Sequence, residues 1–187
     1  TAVAAAKAAF PAWATGSIQE RANILERAAA EILARKDELG RLLSREEGKT
    51  LPEGIGEAMR AGFIFRFFAG EVLRQAGEKI PSVRPGVDVE VTREPLGVVG
   101  LITPWNFPIA IPAWKIAPAL AAGNCVVFKP ADLVPGCGWA LAKIIADAGI
   151  HAKVKPMVWD DAVRVLIDGI GDGRAAEGFI AAIERCG

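Results

Sequence analysis

The sequence LGVVGLITPWNFP at residues 96–108, together with CVVFKPAD at residues 125–132, decides the fold predicted for this chain. Each begins with a nearly continuous apolar run, which is typical of a parallel strand buried on both faces. Pro104 ends the first strand, because proline cannot donate to the strand ladder. Residues 113–122 predict a helix between the strands, closed by Gly123, which tolerates the left-handed conformation. Strand, helix and strand therefore form a βαβ unit with parallel strands.

Polar residues follow both predicted strands at the point where each strand ends. Trp105 and Asn106 come just after the first strand, and residues 129–132 come just after the second. In open parallel sheets, ligands bind beyond the carboxyl ends of the strands. The polar groups of these two segments are therefore expected to converge on one edge of the sheet, which is the candidate site.

Three motifs in this region resemble the aldehyde dehydrogenase superfamily. They are TPWNFP at residues 103–108, ALAAGN at residues 119–124 and FKPAD at residues 128–132, and their shared order and spacing make the resemblance specific. The resemblance extends from Ala2 to about Gly149, and over this length it points to semialdehyde dehydrogenases of the α-ketoglutaric or succinic type. It implies an α/β fold in which long N-terminal helices pack on an incomplete, Rossmann-like parallel sheet. Residues 1–149 would then be a truncated cofactor-binding domain.

Helices are predicted along most of the N-terminal part. Residues 2–14 are alanine-rich and helical, and in the resembled family a β-hairpin precedes this point, which implies a truncated N-terminus. SIQE at residues 17–20 and TLPE at residues 50–53 are capping boxes. They predict long helices over residues 17–47 and 51–76, with Glu31 and Arg35 as a favourable i,i+4 pair on the first of them.

Two further predictions concern the aromatic residues of the second long helix and the segment that follows this helix. Phe63, Phe67 and Phe68 recur at helical spacing, which favours core packing. Residues 87–92 alternate apolar and polar side chains, which predicts an exposed strand with an edge available for pairing.

The C-terminal part is predicted to differ in origin from the rest. Residues 135–148 predict a helix, and after Gly149 the resemblance stops. Residues 150–187 predict a helical hairpin that turns at residues 171–173. This tail faintly resembles the end of the small bacterial TPM domains, while the simpler interpretation is two amphipathic helices covering an open sheet edge.

Composition excludes several classes of partner. Lys and Arg number 22, as do Asp and Glu, so the net charge is zero and nothing favours nucleic acid or an anionic membrane. No apolar run reaches the length of a transmembrane helix, and the first residues lack the pattern of a signal peptide. Three cysteines without metal-like spacing are typical of a reducing cytoplasm. We therefore expect a cytoplasmic protein, and exposed apolar faces predict that it forms a homo-oligomer.

The resemblance implies a reaction in which a cysteine thiolate attacks an aldehyde, hydride passes to NAD or NADP, and water hydrolyses the thioester. Asn106 matches the family's oxyanion-hole asparagine, whose side-chain amide donates to the developing oxyanion. The residues alone leave another interpretation open, because a turn asparagine can instead hydrogen-bond its own backbone.

Further positions match the family's cofactor cleft. Lys129 matches the lysine that hydrogen-bonds the adenosine ribose, and Asp132 stands where a glutamate would accept from the ribose 2′-hydroxyl, with Ala131 beside it. The shorter aspartate leaves the choice between NAD and NADP open. Four consecutive residues match the wall of the cleft, namely Ile102, Thr103, Pro104 and Trp105.

The cysteines do not match the family's nucleophile. Cys125 opens a buried strand, Cys137 lies at a helix start where a thiolate could be favoured, and Cys186 lies in the tail. None stands in the family's nucleophile motif, and the segment that supplies the catalytic glutamate is not found. His151 has no assigned role, and no metal cluster is visible.

Two functions therefore remain open for this chain. One is NAD(P)-dependent oxidation of a semialdehyde to a carboxylic acid, implied by the resemblance, with the chain expected to be inactive alone. The alternative is a non-catalytic, truncated or fused module that folds and oligomerises.

Overall fold

A computed structural model describes residues 2–150 of the 187-residue chain. The regular elements within those residues, in chain order, are α1 (Ala2–Ala14), α2 (Ile18–Ala34), α3 (Lys36–Glu47), α4 (Leu51–Glu71), β1 (Glu78–Pro81), β2 (Asp88–Val91), β3 (Val98–Ile102), α5 (Ala110–Ala121), β4 (Cys125–Lys129) and α6 (Pro135–Ile145). A 3₁₀ turn follows α4 at Val72–Arg74, and a π-helical turn follows α6 at Ala146–Ile150.

The predicted βαβ unit is confirmed. Strands β3 and β4 pair in parallel, from Val98 opposite Cys125 to Ile102 opposite Lys129, and α5 connects them. Backbone hydrogen bonds extend the ladder at its far end, where the N–H of Thr103 donates to the carbonyl of Lys129 at 3.3 Å. The α/β class, with helices packed on a short parallel sheet, is therefore correct.

The helix predicted over residues 17–47 is two helices. It begins at Ser17, whose hydroxyl accepts from the N–H of Gln19 at 3.2 Å, and it breaks at Arg35. An unbroken helix of this length would span ~45 Å, against ~30 Å for α4. Because both α2 and α3 pack against α4, the break keeps each half in contact with it. The predicted pair of Arg35 with Glu31 is present at 3.7 Å, but Glu38 lies closer, at 2.6 Å.

The second long helix starts as predicted and ends earlier. Glu53 accepts from the N–H of Thr50 at 3.1 Å and from its hydroxyl at 2.6 Å, which confirms the capping box. The helix was predicted to reach residue 76, but α4 ends at Glu71. The 3₁₀ turn at Val72–Arg74 follows it, and strand β1, which was not predicted from the sequence, begins at Glu78. This strand pairs antiparallel with the predicted strand β2, so one edge of that strand is already occupied.

The core lies where α2, α4, α5 and α6 meet. Its largest fully buried side chains include Leu25, Ile32, Phe65, Leu141 and Ile144. Close helix approach depends on glycine at the crossing of α3 and α4, where a Cβ on Gly54 would lie 2.6 Å from the carbonyl oxygen of Gly40. The crossing therefore accepts no side chain at Gly54.

The predicted core packing of the aromatic residues on α4 is wrong for two of the three. Phe63 and Phe67 are more than half exposed, while Phe68 is partly buried against the core. The buried stripe of α4 includes Glu57, Ala58, Ala61, Phe65 and Ala69. Phe63 and Phe67 project from another face of the helix. Helical spacing of aromatic residues identified a common face correctly, but not which face the core would cover.

The predicted helical tail at residues 150–187, with His151 and Cys186, lies outside the described residues apart from its first position. In the described part, no helix is both long and apolar enough to cross a membrane.

Candidate functional site

The two predicted site segments meet at one edge of the parallel sheet. Ile102 and Lys129 end their strands opposite each other, so residues 103–106 and residues 130–132 leave the sheet side by side. Ile102 is 80% exposed and Trp105 is 51% exposed, whereas Thr103 is buried. The arrangement presents two apolar side chains on an open surface next to the charged residues that follow β4.

Lys129 and Asp132 contact each other at this edge. The ammonium of Lys129 donates to a carboxylate oxygen of Asp132 at 2.7 Å, and both side chains are largely exposed. Pro130, next to Lys129, packs against the start of α6, where a Cβ on Gly138 would lie 2.6 Å from the Pro130 side chain. This packing fixes the loop, so a donor and an acceptor are presented together at the sheet edge.

The loop that carries Asn106 is held by a carboxylate from another helix. Glu57 of α4 is buried, and its Oε1 accepts from the backbone N–H groups of Ile109 at 2.9 Å and Ala110 at 3.0 Å. These two N–H groups open α5 and have no partner inside the helix. A carboxylate at this position caps the helix and interacts favourably with the positive end of the helix dipole.

Lys49 joins the same loop to Glu57. Its ammonium forms an ion pair with Glu57, lies 2.8 Å from Glu47 and donates to the backbone carbonyl of Asn106 at 3.4 Å. It also lies 4.4 Å from the ring centre of Phe107. Burial opposes the charge of Lys49, but the hydrogen bonds that its ammonium donates to Glu47 and Glu57 outweigh burial and raise the pKa of Lys49 above its ordinary value. The backbone that follows the Asn106 side chain is therefore held at its own carbonyl and at the start of α5.

Sequence reasoning missed Lys49 and Glu57. One signal for Glu57 was available, because it is the single carboxylate among the small and apolar residues of the buried stripe of α4. A charged residue in such a stripe is rarely buried without a partner. The partners themselves, on α5, lie more than 50 residues further along the chain and could not be read from the local pattern.

A groove of about 530 Å³ runs along α4 and faces Trp114 of α5. Its lining is apolar and aromatic apart from one cation, Arg60, and consists of Gly56, Met59, Arg60, Phe63, Ile64, Phe67, Phe68 and Trp114. The rings of Phe67 and Phe68 meet edge to face, with centroids 5.1 Å apart. The exposed aromatic residues of α4 thus form the wall of a concave surface.

The two described cysteines are buried. Burial raises the pKa of Cys125, and burial together with a hydrogen bond to Glu46 raises the pKa of Cys137. Glu46 also accepts from the backbone N–H groups of Gly136 and Cys137, at 2.8 and 2.7 Å, so its carboxylate occupies the start of α6. The positive end of the α6 dipole could have favoured a Cys137 thiolate, but it interacts with the Glu46 carboxylate instead. Within residues 2–150, no group of side chains is arranged to hold a metal ion.

Comparison with known proteins places the chain in a family. The pattern of the Aldehyde dehydrogenase family matches residues 1–168, and this chain belongs to that family. The match runs beyond Gly149, where the sequence analysis placed the end of the resemblance. The assignment of residues 150–187 to a different origin stays a prediction.

Two curated relatives are semialdehyde or oxo-acid dehydrogenases by name. The chain is 47% identical over 157 residues to the α-ketoglutarate semialdehyde dehydrogenase of Haloferax volcanii, covering 84% of this chain and 33% of that protein. It is 36% identical over 182 residues to the 2,5-dioxopentanoate dehydrogenase of Saccharolobus solfataricus, covering 97% of this chain and 37% of that protein. The chain therefore spans about a third of the length of the curated relatives that it matches.

Solved structures agree with the fold. An aldehyde dehydrogenase from Brucella melitensis biovar abortus 2308 superposes with a TM-score of 0.78 at 40% identity, over 80% of this chain and 31% of that one. A glyceraldehyde-3-phosphate dehydrogenase from Methanocaldococcus jannaschii in complex with NADP has a TM-score of 0.75 at 37% identity, over 79% of this chain and 32% of that one. A betaine aldehyde dehydrogenase variant from Staphylococcus aureus in complex with NAD+ has a TM-score of 0.76 at 34% identity, over 79% of this chain and 30% of that one. The predicted partial, Rossmann-like fold of this family is therefore correct.

Proposed function

We propose that this chain supplies the oxyanion-hole asparagine and part of the cofactor site of an NAD(P)+-dependent semialdehyde dehydrogenase. The observation that carries the proposal is the meeting of two segments at one sheet edge, residues 103–106 after β3 and residues 129–132, which begin at the last residue of β4. Semialdehydes are the favoured substrates because the relatives in the preceding subsection are named for a five-carbon aldehyde that also bears a carboxylate.

The residues present at this edge fit a nicotinamide dinucleotide. Each hydroxyl of a ribose both donates and accepts, and the pair of Lys129 and Asp132 offers one donor and one acceptor 2.7 Å apart. The hydroxyl of Thr103 is buried without a hydrogen-bond partner among the described residues, which leaves a polar group at the same edge. Ile102, Pro104 and Trp105 would form the wall, with Ala131 beside Lys129. When bound, the cofactor accepts hydride from the substrate.

Asn106 would act on the aldehyde oxygen. Its side-chain amide donates hydrogen bonds, and an oxyanion forms on that oxygen when a nucleophile attacks the carbonyl carbon. A donor fixed in advance stabilises this charge, and removing one such donor typically costs about 3–4 kcal/mol of transition-state stabilisation. Lys49 and Glu57 support this role because they hold the carbonyl of Asn106 and the backbone N–H of Ile109 that follows it.

We propose that the chain alone does not turn over substrate. Cys125 and Cys137 are buried, and the pKa of each thiol is raised, so neither offers a ready thiolate at neutral pH. The remaining hypothesis is a non-catalytic folding or oligomerisation module, which is favoured by the exposed Phe63 and Phe67. A cytoplasmic location and a homo-oligomer stay part of the proposal.

The test is a turnover assay combined with a binding titration. The purified chain and its Cys137→Ala variant are assayed with NAD+ and NADP+ against succinic and α-ketoglutaric semialdehydes. No reduction of either cofactor is expected. Turnover that disappears in the variant would show that Cys137 is the nucleophile.

Cofactor binding is read separately from tryptophan fluorescence. Trp105 lies at the sheet edge, so NAD+ or NADP+ should quench it, and Lys129→Ala should weaken the binding. Lys143→Ala is the matched control, because Lys143 of α6 is also an exposed lysine paired with an aspartate, Asp147, at 2.9 Å. Equal binding by wild type and Lys129→Ala would exclude the proposed ribose contact.

A further inference from the structure

The loop between β4 and α6, residues 130–134, carries part of the proposed cofactor site. Its first end is fixed by the sheet, because the N–H of Thr103 donates to the carbonyl of Lys129 at 3.3 Å. Its second end is the start of α6 at Pro135, which has no N–H to donate. The position of the loop therefore depends on what holds the first turn of α6.

Glu46, near the end of α3, holds that first turn. One of its carboxylate oxygens accepts from the N–H of Gly136 at 2.8 Å, and the other accepts from the N–H of Cys137 at 2.7 Å. The fit is tight, since a Cβ on Gly136 would lie 2.8 Å from the first of these oxygens. Two hydrogen bonds from adjacent N–H groups to one charged carboxylate fix both the position and the direction of the helix start.

Glu57 has the corresponding position at the other loop of the site. It accepts from the N–H groups of Ile109 and Ala110, which open α5 directly after the loop that carries Asn106. Each strand of the parallel pair is therefore followed by a helix whose start is bound by a carboxylate from α3 or α4. These two helices set the geometry of both loops at the sheet edge.

We propose that Glu46 is a positioning residue for the cofactor, which acts through the loop of residues 130–134 and does not itself touch the dinucleotide. The inference rests on the proposed function and adds a residue that holds Lys129 and Asp132 ready for the ribose. A loop that is ordered before binding loses less conformational entropy when the ligand binds. By charge alone, a carboxylate near this edge would repel the anionic dinucleotide. Positioning and charge therefore predict opposite effects when Glu46 is replaced.

The test is a titration of NAD+ against tryptophan fluorescence. Glu46→Ala should weaken NAD+ binding about tenfold, because the start of α6 loses both hydrogen bonds and the loop must be ordered on binding. Glu46→Gln should lose less, because its amide oxygen still accepts from one N–H. Gly136→Ala should also weaken binding, because the added Cβ displaces the carboxylate while its charge remains. In a Lys129→Ala background, Glu46→Ala should weaken binding by less than about twofold, since coupled residues are not additive.

Glu53→Ala is the matched control, because Glu53 also caps a helix but lies away from both loops. It accepts from the N–H of Thr50 at 3.1 Å at the start of α4, so its loss should lower the melting temperature and leave NAD+ binding unchanged. Hydrogen exchange gives a second readout that needs no cofactor. Relative to the core amides of α2, the amides of Gly136 and Cys137 should exchange at least about tenfold faster in Glu46→Ala and at the wild-type rate in Glu53→Ala. Thermal melts establish that each variant folds.

Four results would overturn the proposal. Equal NAD+ affinity in wild type and Glu46→Ala would show that Glu46 does not position the loop, and tighter binding in Glu46→Ala would show that it acts by charge. An equal loss in Glu53→Ala would show an effect of helix stability in general. A full loss from Glu46→Ala in the Lys129→Ala background would show that the effect does not pass through the ribose contact.

Failure of the proposed function has a different signature. Wild type itself would then bind neither NAD+ nor NADP+ at millimolar concentration, and the role of Glu46 toward the cofactor would be excluded with it. Binding of NAD+ that is the same in wild type and Glu46→Ala would instead exclude Glu46 alone and leave the proposed cofactor site standing.

Discussion

Lys49 and Glu57 form an ion pair in which both side chains are almost fully buried, and both residues hydrogen-bond the loop that carries Asn106. Glu57 accepts from the N–H groups that open α5, and Lys49 donates to the carbonyl of Asn106 itself. Breaking a buried pair leaves an uncompensated charge in a site of low dielectric constant. The pair therefore joins the stability of the fold to the geometry of the proposed oxyanion site.

Glu57→Gln should destabilise the chain by about 3 kcal/mol, because Lys49 would lose its best-buried partner while the amide oxygen still accepts from the N–H groups of α5. Urea unfolding followed by circular dichroism measures the change. Glu90→Gln is the control, since Glu90 pairs with Lys79 on the exposed hairpin and should cost less than about 1 kcal/mol. Equal stability of the two variants would contradict the proposed importance of the buried pair.

Stability should fall at alkaline pH through Lys49. The folded-state pKa of Lys49 is raised above the value in the unfolded chain, so its contribution is complete below a pH of about 10.5. The contribution is lost as the pH rises through the folded-state pKa. Urea unfolding at pH 8 and across pH 10–12 should therefore show a decline that Lys49→Met reduces. An identical decline in Lys49→Met would show that other titrating groups cause the loss of stability at alkaline pH.

The described cysteines should resist thiol reagents in the folded chain. Cys125 and Cys137 are buried, and their raised pKa values keep them protonated near neutral pH. A Cys186→Ser variant leaves only these two thiols in the chain. With an aromatic disulfide reagent at pH 8, this variant should react slowly when folded and should release two equivalents when urea is added. Rapid reaction of one thiol in the folded variant would contradict the assignment of both cysteines to the core.

Two glycines on α4 should respond to alanine in opposite directions. A Cβ on Gly54 would meet the Gly40 carbonyl at 2.6 Å, so Gly54→Ala should destabilise by about 1–3 kcal/mol through forced separation of α3 and α4. Gly56 has no atom within 4 Å of the same position, so Gly56→Ala should stabilise by up to about 1 kcal/mol through helix propensity. Thermal and urea unfolding measure both changes. A loss of stability in both variants would show that helix packing at the crossing is not the cause of the destabilisation in Gly54→Ala.

The sequence predicted the structural elements that depend on residues close to one another in the chain. The apolar runs before Thr103 and Lys129 and the helix between them predicted the parallel pair and its common edge. Ser17 and the capping box of Thr50 and Glu53 predicted where two helices begin. The motifs around Asn106 identified the family, and the matching family pattern confirms that assignment. Each of these features depends on residues that are close in sequence, so a single chain is enough to recognise them.

Only the tertiary structure decided which residues face each other across the fold. The break at Arg35 depends on the length of α4, and strand β1 depends on its pairing with β2. The exposure of Phe63 and Phe67 depends on which face of α4 the other helices cover. The capping of α5 by Glu57 joins groups more than 50 residues apart. These features arise from long-range packing and hydrogen bonding, where each side chain's environment is set by distant segments that the local pattern does not contain.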